Sequence, residues 1–273
     1  MPRQQYVIRG GVPGRERLRV LSRVMRPAAL EACRRVGVAP GMSCLDVGCG
    51  GGDLTMDLAE LVTPEGEALG IDIDATKVEL ARGEARQRGL DNVRFEVAGI
   101  PDYPAPGSFD LVHARFLLTH LSDPGAAASH LVRCARPGGT VLVQDIDFAG
   151  YFTWPDCPAF RRYHEMYVAV VGRRGGDPFI GPRLPSLLRE AGCRGVEVQA
   201  VQPIALEGEA KLINPLTLEN IADTVIEDGL ATSDEIAKLV DELHAFAADP
   251  TTVAGTPRIV QAWGTRPLTD GGA

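Results

Sequence analysis

The sequence lacks a run of about eighteen consecutive apolar residues, the length that a membrane-spanning helix requires. Its first residues, MPRQQYVIRGG, also lack the apolar core of a signal peptide. The six cysteines form neither a CxxC pair nor a cluster with histidine, so the patterns of a zinc site and of a disulfide framework are both absent. These absences predict a cytoplasmic protein with reduced cysteines and no membrane partner.

An excess of positive charge is also lacking. The chain has 28 Lys and Arg residues against 36 Asp and Glu residues, a formal net charge of -8 at pH 7. Nucleic acids are bound by basic surfaces, so we expect no nucleic-acid partner. The charge is uneven, because residues 1–36 hold nine arginines and two glutamates, whereas residues 205–250 hold eleven acids and two lysines. These segments are either two solvated helical faces or pack together over one face of the protein.

Residues 43–146 alternate short apolar segments with stretches of helical periodicity. Because each strand is followed by a helix, the pattern predicts a Rossmann-like, doubly wound α/β fold with helices on both faces of a parallel sheet. Two later strands complete a seven-stranded, mostly parallel sheet. The predicted strands cover residues 43–47, 67–73, 93–97, 109–113, 140–146, 195–202 and 258–264. The predicted helices between the first five cover residues 53–62, 76–88 and 124–135.

The segments outside this alternation predict helical additions. Apolar residues at helical spacing from position 15 to position 36 make residues 1–40 a predicted N-terminal helical cap. Residues 41–273 form the predicted main domain. It carries helical insertions at about 147–176, after the fifth strand, and at about 205–250, between the sixth and seventh strands. The second insertion, with helices at 216–227 and 233–248, is predicted to be a lid or an element that forms a homodimer.

The stretch LDVGCGGGD, from Leu45 to Asp53, places a glycine-rich loop directly after a predicted strand. Such a loop lets a ligand approach backbone N–H groups at the start of a helix. No lysine follows the glycines, which excludes a Walker loop, and Asp53 stands where a dinucleotide-binding loop has its third glycine. Asp46 would repel a pyrophosphate but attract a cationic ammonium group. A nicotinamide dinucleotide is therefore disfavoured, though it stays an alternative.

Four segments occur in the order and at the spacings of one family. LDVGCGGGD, GIDID, SFDLVHARF and RPGGTVLV resemble motifs of the class I S-adenosylmethionine-dependent methyltransferases. The resemblance runs from about residue 41 to residue 202 and includes the last strand. It implies a Rossmann-like fold, S-adenosyl-L-methionine as the cofactor and methyl transfer as the reaction.

The resemblance also implies a set of cofactor-binding residues. Asp46 would position the methionine end of the cofactor, and Asp72, at the end of the second strand, would hold the two ribose hydroxyls. Ile73 and Lys77 would flank the adenine. The implied cofactor-binding residues are Asp46, Gly48, Cys49, Gly50, Asp72, Ile73, Lys77, Gly99, Ile100, Ala114 and Arg115.

One position departs from the family pattern. Gly99 stands where the family often has an acid that bonds the adenine amine. The backbone of Ile100 or the side chain of Asp102 is expected to replace that contact. The N-terminal segment is expected to close the other side of the site, with Tyr6 and Arg9 near the cofactor.

Methyl transfer from a sulfonium requires alignment of the acceptor and exclusion of water. A base is needed only if the acceptor must lose a proton. His113, at the end of the fourth strand, is the candidate base, and a hydrogen-bonded structural histidine is the alternative. Asp145, near the end of the fifth strand, is a candidate substrate-binding residue. A metal-assisted enzyme would have a carboxylate in the place of His113, so no metal is predicted.

The acceptor is predicted from the aromatic residues, seven of which lie among residues 147–176. Phe148, Tyr151 and Trp154 are predicted to line the acceptor pocket, whereas the later aromatics follow helical spacing and are predicted core residues. This favours a small apolar or aromatic acceptor of secondary metabolism. Two alternatives stay open, an NAD(P)-dependent oxidoreductase and a non-catalytic protein that binds S-adenosylmethionine.

Overall fold

The structure, a computed structural model, describes residues 11–268. Seven strands form one sheet in the order β3-β2-β1-β4-β5-β10-β7, and β10 runs antiparallel to both of its neighbours. The predicted seven-stranded, mostly parallel Rossmann-like sheet is therefore confirmed. The strands are β1 (Ser43–Val47), β2 (Glu67–Asp72), β3 (Val93–Val97), β4 (Phe109–Arg115), β5 (Ala135–Asp147), β6 (Phe152–Trp154), β7 (Arg194–Val201), β8 (Ile204–Ala205), β9 (Val253–Gly255) and β10 (Arg258–Thr265).

Helices bury both faces of this sheet. The α-helices are α1 (Gly11–Arg35), α2 (Asp53–Val62), α3 (Ala75–Arg88), α4 (Pro124–Cys134), α5 (Pro158–Arg173), α6 (Leu184–Glu190), α7 (Glu209–Glu227) and α8 (Ser233–Ala248). Successive residues of a strand point to opposite faces. Leu45 and Val112 accordingly share a core with residues of α4 and α6, whereas Cys44 and Leu111 share one with residues of α1, α2 and α3. Strands that are covered on both faces explain the apolar segments seen in the sequence.

The helical insertions form a third core together with α1. Val20 and Met25 of α1 lie in one buried cluster with residues of α5, α7 and α8. The basic and acidic segments pack together here, because Arg23 of α1 donates to both carboxylate oxygens of Glu209 of α7 at 2.6 to 3.1 Å. That ion pair is nearly half exposed, so its contribution is small. Burial of apolar surface is the main force that holds α1 against the insertions.

Three features differ most clearly from the expected structure. α7 begins at Glu209 rather than at residue 216 and continues through Pro215. The predicted start at residue 216 left Pro215 outside the helix, whose interior a proline normally disrupts. β5 begins at Ala135 rather than at residue 140, since the RPGG segment continues the strand. A second sheet, in the order β6-β9-β8, was not predicted, because strands of two or three residues show no measurable alternation.

Two further expectations concern the ends of the chain and the membrane. Tyr6 and Arg9 lie outside the described residues. Between residues 11 and 268, no helix combines the length and the apolar character that crossing a bilayer requires.

Lys211 anchors the start of α7 to the segment that follows α8. Its side chain is almost fully buried, with 2% of the residue exposed. The ammonium nitrogen lies 2.9 Å from Leu206 O, 2.7 Å from Asp249 O and 2.6 Å from Thr252 Oγ1. The ammonium group therefore satisfies buried acceptors on the two segments that flank the paired strands β8 and β9.

Replacement of Lys211 by methionine tests this anchor. Methionine keeps most of the volume but leaves buried oxygens without a donor, so we expect the free energy of unfolding to fall by about 3 kcal/mol. Denaturant unfolding of both proteins measures the difference. Lys238→Met is the matched control, because Lys238 is exposed on α8, and we expect it to change stability by less than about 0.5 kcal/mol. Equal stability of the two variants would contradict the anchoring role.

Candidate functional site

The carboxyl ends of β1, β2, β4 and β5 open into a cavity of about 890 Å³. β1 is followed by β2 on one side of the sheet and lies beside β4 on the other, which is where open α/β sheets form a ligand crevice. The cavity has two halves. The glycine-loop half is lined by residues 46–51 and 72–74, and the aromatic half is lined by Phe148, Tyr151, Tyr163 and Tyr167.

The glycine loop is held in a shape that other residues would not adopt. Gly48, Gly50 and Gly52 have positive φ angles of 72°, 56° and 77°. A Cβ atom at Gly52 would lie 2.5 Å from the ring of Phe95, so this glycine is also required for packing. The N–H groups of Gly48 and Cys49 donate to one carbonyl oxygen of β2, at 2.8 and 3.0 Å. The loop therefore stays fixed beside the start of α2.

Asp72 connects this loop to the end of β2. Its Oδ2 accepts the N–H of Gly50 at 2.9 Å, and its Oδ1 accepts the N–H of Asp74 at 2.9 Å. The residue is 9% exposed and lines the cavity. A carboxylate oxygen has more than one lone pair, so each oxygen can accept a further hydrogen bond from a ligand.

A relay of hydrogen-bonded side chains, buried except for the partly exposed Gln199, connects β7 to β1 next to the cavity. Gln199 donates to Gln261 at 2.6 Å, and Gln261 donates to Gln144 at 2.7 Å. Gln144 in turn donates to Nε2 of His113 at 3.0 Å. Because Nε2 accepts this bond, the proton of the neutral imidazole is assigned to Nδ1, which lies 2.8 Å from Oδ1 of Asp46. The donors of the relay thus all point toward Asp46.

Asp46 is a buried carboxylate at the end of this relay. Its second oxygen accepts the hydroxyl of Thr55 at 2.7 Å. Burial alone would raise the pKa of Asp46, but its interaction with His113, the hydrogen bond from Thr55 and the charge of Arg115 together outweigh burial and hold that pKa below its usual value. The cavity therefore keeps one fixed negative charge directly before the first glycine of the loop.

The hydrogen bonds of His113 correct its predicted role. Its side chain is fully buried, and both ring nitrogens are engaged, one by Asp46 and the other by Gln144. A general base needs a free nitrogen within reach of the substrate proton. The structure therefore gives His113 a positioning role and agrees with the alternative, a hydrogen-bonded structural histidine.

The aromatic half is built from stacked rings. The ring centroids of Phe148 and Tyr167 lie 4.4 Å apart with an interplanar angle of 8°, and those of Phe148 and Tyr151 lie 5.3 Å apart at 14°. Tyr151 also stacks on Phe160 at 4.5 Å. These contacts fix a flat apolar wall against which a planar ligand can pack.

Most of the predicted site residues meet in this cavity, and three do not. The residues that line it are Asp46, Gly48, Cys49, Gly50, Asp72, Ile73, Lys77, Gly99, Ile100, His113, Arg115, Phe148 and Tyr151. Ala114 is instead buried in the core beneath it.

Asp145 and Trp154 were predicted to bind the acceptor, and this prediction is wrong because neither lines the cavity. Asp145 is buried, and its carboxylate accepts the N–H groups of Thr119 and Ile146 at 3.1 and 2.9 Å. Burial outweighs these bonds and raises its pKa to about 7. Trp154 is 71% exposed on β6, because the short second sheet carries it away from the cavity.

Several cavity residues were missed. Arg17 and Thr217 come from α1 and α7, the predicted cap and second insertion, but neither residue was among the predicted site residues. Tyr163 and Tyr167 were predicted as core residues and are buried, yet they also face the cavity. His120 lines it as well, and burial, followed by the charges of nearby basic residues, lowers its pKa to about 3. No local motif marks any of these positions.

Comparison with known proteins agrees with this geometry. The sequence profile of a family described as a methyltransferase domain matches residues 39–172. Demethylmenaquinone methyltransferase of Lactococcus lactis is 29% identical over 161 residues, which is 59% of this chain and 60% of that protein. Nocamycin O-methyltransferase of Saccharothrix syringae is 39% identical over 118 residues, 42% of each chain. The chain thus spans less than two thirds of the length of either relative.

The fold also occurs among solved structures. The YcgJ protein of Bacillus subtilis superposes with a TM-score of 0.60 at 16% sequence identity, over 89% of this chain and 99% of that chain. At this identity the similarity concerns the fold alone.

Removal of the His113 ring tests its positioning role. In His113→Leu the carboxylate of Asp46 and the amide of Gln144 lose their partner in a buried place, so we expect a loss of about 3 kcal/mol in the free energy of unfolding at pH 7. His244→Leu is the matched control, because His244 also bonds a carboxylate, Glu219, but on the surface. We expect the control to lose less than about 1 kcal/mol.

The pH dependence of this loss has a defined sign. In the wild type the lowered pKa of Asp46 contributes stability that is present above the ordinary value of 3.8 and is lost as the pH falls through the folded-state pKa. In His113→Leu this contribution is already missing at pH 7. Melting temperatures of the two proteins should therefore converge below about pH 4, and a constant difference from pH 7 to pH 3 would contradict the assignment.

Proposed function

Because the chain belongs to the class I S-adenosylmethionine-dependent methyltransferase family, we propose that it methylates a small, apolar or aromatic molecule by direct displacement and without a metal. The observation that carries this proposal is the continuity of the cavity, which joins the glycine loop to a stacked aromatic wall. Relatives named for methyl transfer to demethylmenaquinone and to nocamycin support an acceptor of low molecular mass.

The glycine-loop half fits the cofactor. Asp72 lines the cavity, and each of its oxygens can accept another bond, as recognition of ribose hydroxyls requires. Ile73 is 62% exposed at the cavity edge, where an apolar surface can pack on a planar base. A Cβ at Gly99 would lie 3.1 Å from Cγ2 of Ile73, so the glycine leaves space beside the apolar surface of Ile73. The same Cβ would lie 3.8 Å from the carboxylate of Asp102, which supports Asp102 as the substitute for the family's acid.

The cofactor supplies an electrophilic methyl group on a sulfonium when it is bound. The contribution of this chain is to orient the acceptor, keep it close and exclude water. Asp46 places a fixed negative charge beside the loop, which favours a positively charged ammonium group there. The rings of Phe148 and Tyr151 restrict the acceptor to a flat orientation. Ile213 and Thr217 of α7 line the cavity, which supports the second insertion as a lid.

Calorimetric titration with S-adenosylmethionine, S-adenosylhomocysteine and NADH tests the proposal, first on the wild type and then on Asp72→Ala. We expect the two adenosyl ligands to bind and NADH not to bind. Loss of the Asp72 carboxylate should weaken adenosyl binding at least about tenfold, since a hydrogen bond to a charged group is lost. Asp91→Ala is the control, because Asp91 is exposed and does not line the cavity.

Two outcomes would contradict the proposal. Binding of NADH in place of the adenosyl ligands would favour an oxidoreductase. Binding of none of the three by a folded wild type would exclude both cofactors. Unfolding curves of Asp72→Ala, recorded beside the titrations, separate lost binding from lost folding, because Asp72 also supports the N–H of Gly50.

A further inference from the structure

Arg17 places a positive charge inside the cavity. It belongs to α1, is 8% exposed and lines the cavity. Its Nε donates to Oγ1 of Thr217 at 3.0 Å, and the Thr217 hydroxyl donates onward to Ile213 O at 2.6 Å. The guanidinium is therefore held to α7 through one of its five N–H groups. The terminal nitrogens carry the other four, and among residues 11–268 they make no hydrogen bond.

No carboxylate compensates this charge within the part of the chain that the structure describes. No aspartate or glutamate among residues 11–268 forms an ion pair with Arg17. By comparison, Arg26 lies 3.0 Å from Asp57 and Arg174 lies 2.7 Å from Asp228.

The polar groups around Arg17 are neutral at pH 7. The hydroxyls of Tyr151 and Tyr163 lie in its field, but burial raises the pKa of Tyr163 to about 12 and that of Tyr151 well above its usual value. The pKa of His120 is lowered to about 3, so its ring carries no charge. Thr217 is uncharged. A buried cation among neutral groups is costly, and proteins normally pair such a charge.

We propose that the acceptor carries an acidic oxygen group, such as a carboxylate or an enolate, and that Arg17 is its counter-ion in the aromatic half of the cavity. The proposal rests on the proposed function, because it names the class of the acceptor. A planar guanidinium with its terminal nitrogens unengaged can bind a two-oxygen anion with two parallel bonds. The stacked rings beside it would hold the apolar body of the same molecule.

The cofactor's own carboxylate is a weaker candidate partner for Arg17. Arg115, at the end of β4, also lines the cavity and lies in the field of Asp46 and Asp53, so it belongs to the glycine-loop half. The charge of Arg17 instead affects the pKa values of Tyr151 and Tyr163, which are residues of the aromatic half. The two arginines therefore serve different halves of one cavity.

Binding of 2-naphthoate and of 2-naphthamide to the full chain tests this assignment. The two probes share ring and size and differ in charge. In calorimetric titrations with and without saturating S-adenosylhomocysteine, we expect the wild type to bind the acid at least about tenfold more tightly than the amide. Arg17→Gln should abolish that preference, and Arg17→Lys should retain part of it. Arg23→Gln is the matched control, because it removes one positive charge from α1 outside the cavity.

The outcomes separate this proposal from the proposed function. A wild type that binds the amide as tightly as the acid, or binds neither probe, overturns the role of Arg17, and this comparison needs no variant to fold. A preference that survives in Arg17→Gln overturns it as well. If Arg17→Gln lowers the affinity for S-adenosylhomocysteine and leaves the preference intact, Arg17 belongs to the cofactor and only the proposed function survives. A wild type that binds the acid but no adenosyl ligand would contradict the proposed function and would still support the anion site at Arg17.

Discussion

The bond between His113 and Asp46 is the contact on which the site depends. These residues are register partners on β4 and β1, the two strands between which the crevice opens. An aspartate with 3% exposure would not stay ionised without hydrogen bonds, and His113 can donate only because Gln144 fixes its tautomer. The rest of the relay continues along register partners, with Gln144 opposite Gln261 on β10. Five strands of the sheet thus hold one carboxylate in place.

The sheet and the glycine loop could be predicted because their signals are local. The strand and helix limits follow from apolar segments and periodicity within about a dozen residues, and β1, α2 and β3 end where the sequence predicts. The left-handed angles of Gly48, Gly50 and Gly52 likewise follow from residue type. Asp72 could be assigned because the GIDID segment resembles a family motif, and its place at the end of a strand next to β1 puts it at the same edge of the sheet as the loop.

The aromatic half could not be predicted in the same way, because it depends on contacts between distant segments. Arg17 and Thr217 are separated by 200 positions and are joined only by the packing of α1 on α7. Trp154 illustrates the opposite error. It shares a short aromatic segment with Phe148 and Tyr151, but pairing with Val253 on β9 turns its side chain outward. Aromatic composition therefore predicts that a pocket exists, and only the tertiary pairing decides which rings line it.

The cavity is divided by charge, and this division has a chemical consequence. The glycine-loop half holds the carboxylates of Asp46 and Asp72 together with Arg115, whereas the charged group of the aromatic half is Arg17. Both ring nitrogens of His113 are hydrogen-bonded, so the candidate base on β4 is not available to remove a proton. An acceptor that enters already ionised needs no base, and it supplies the negative charge that the environment of Arg17 lacks. Within residues 11–268, the two hydrogen bonds of His113 and the lack of an acid paired with Arg17 thus both favour the proposed acceptor, which is acidic and flat.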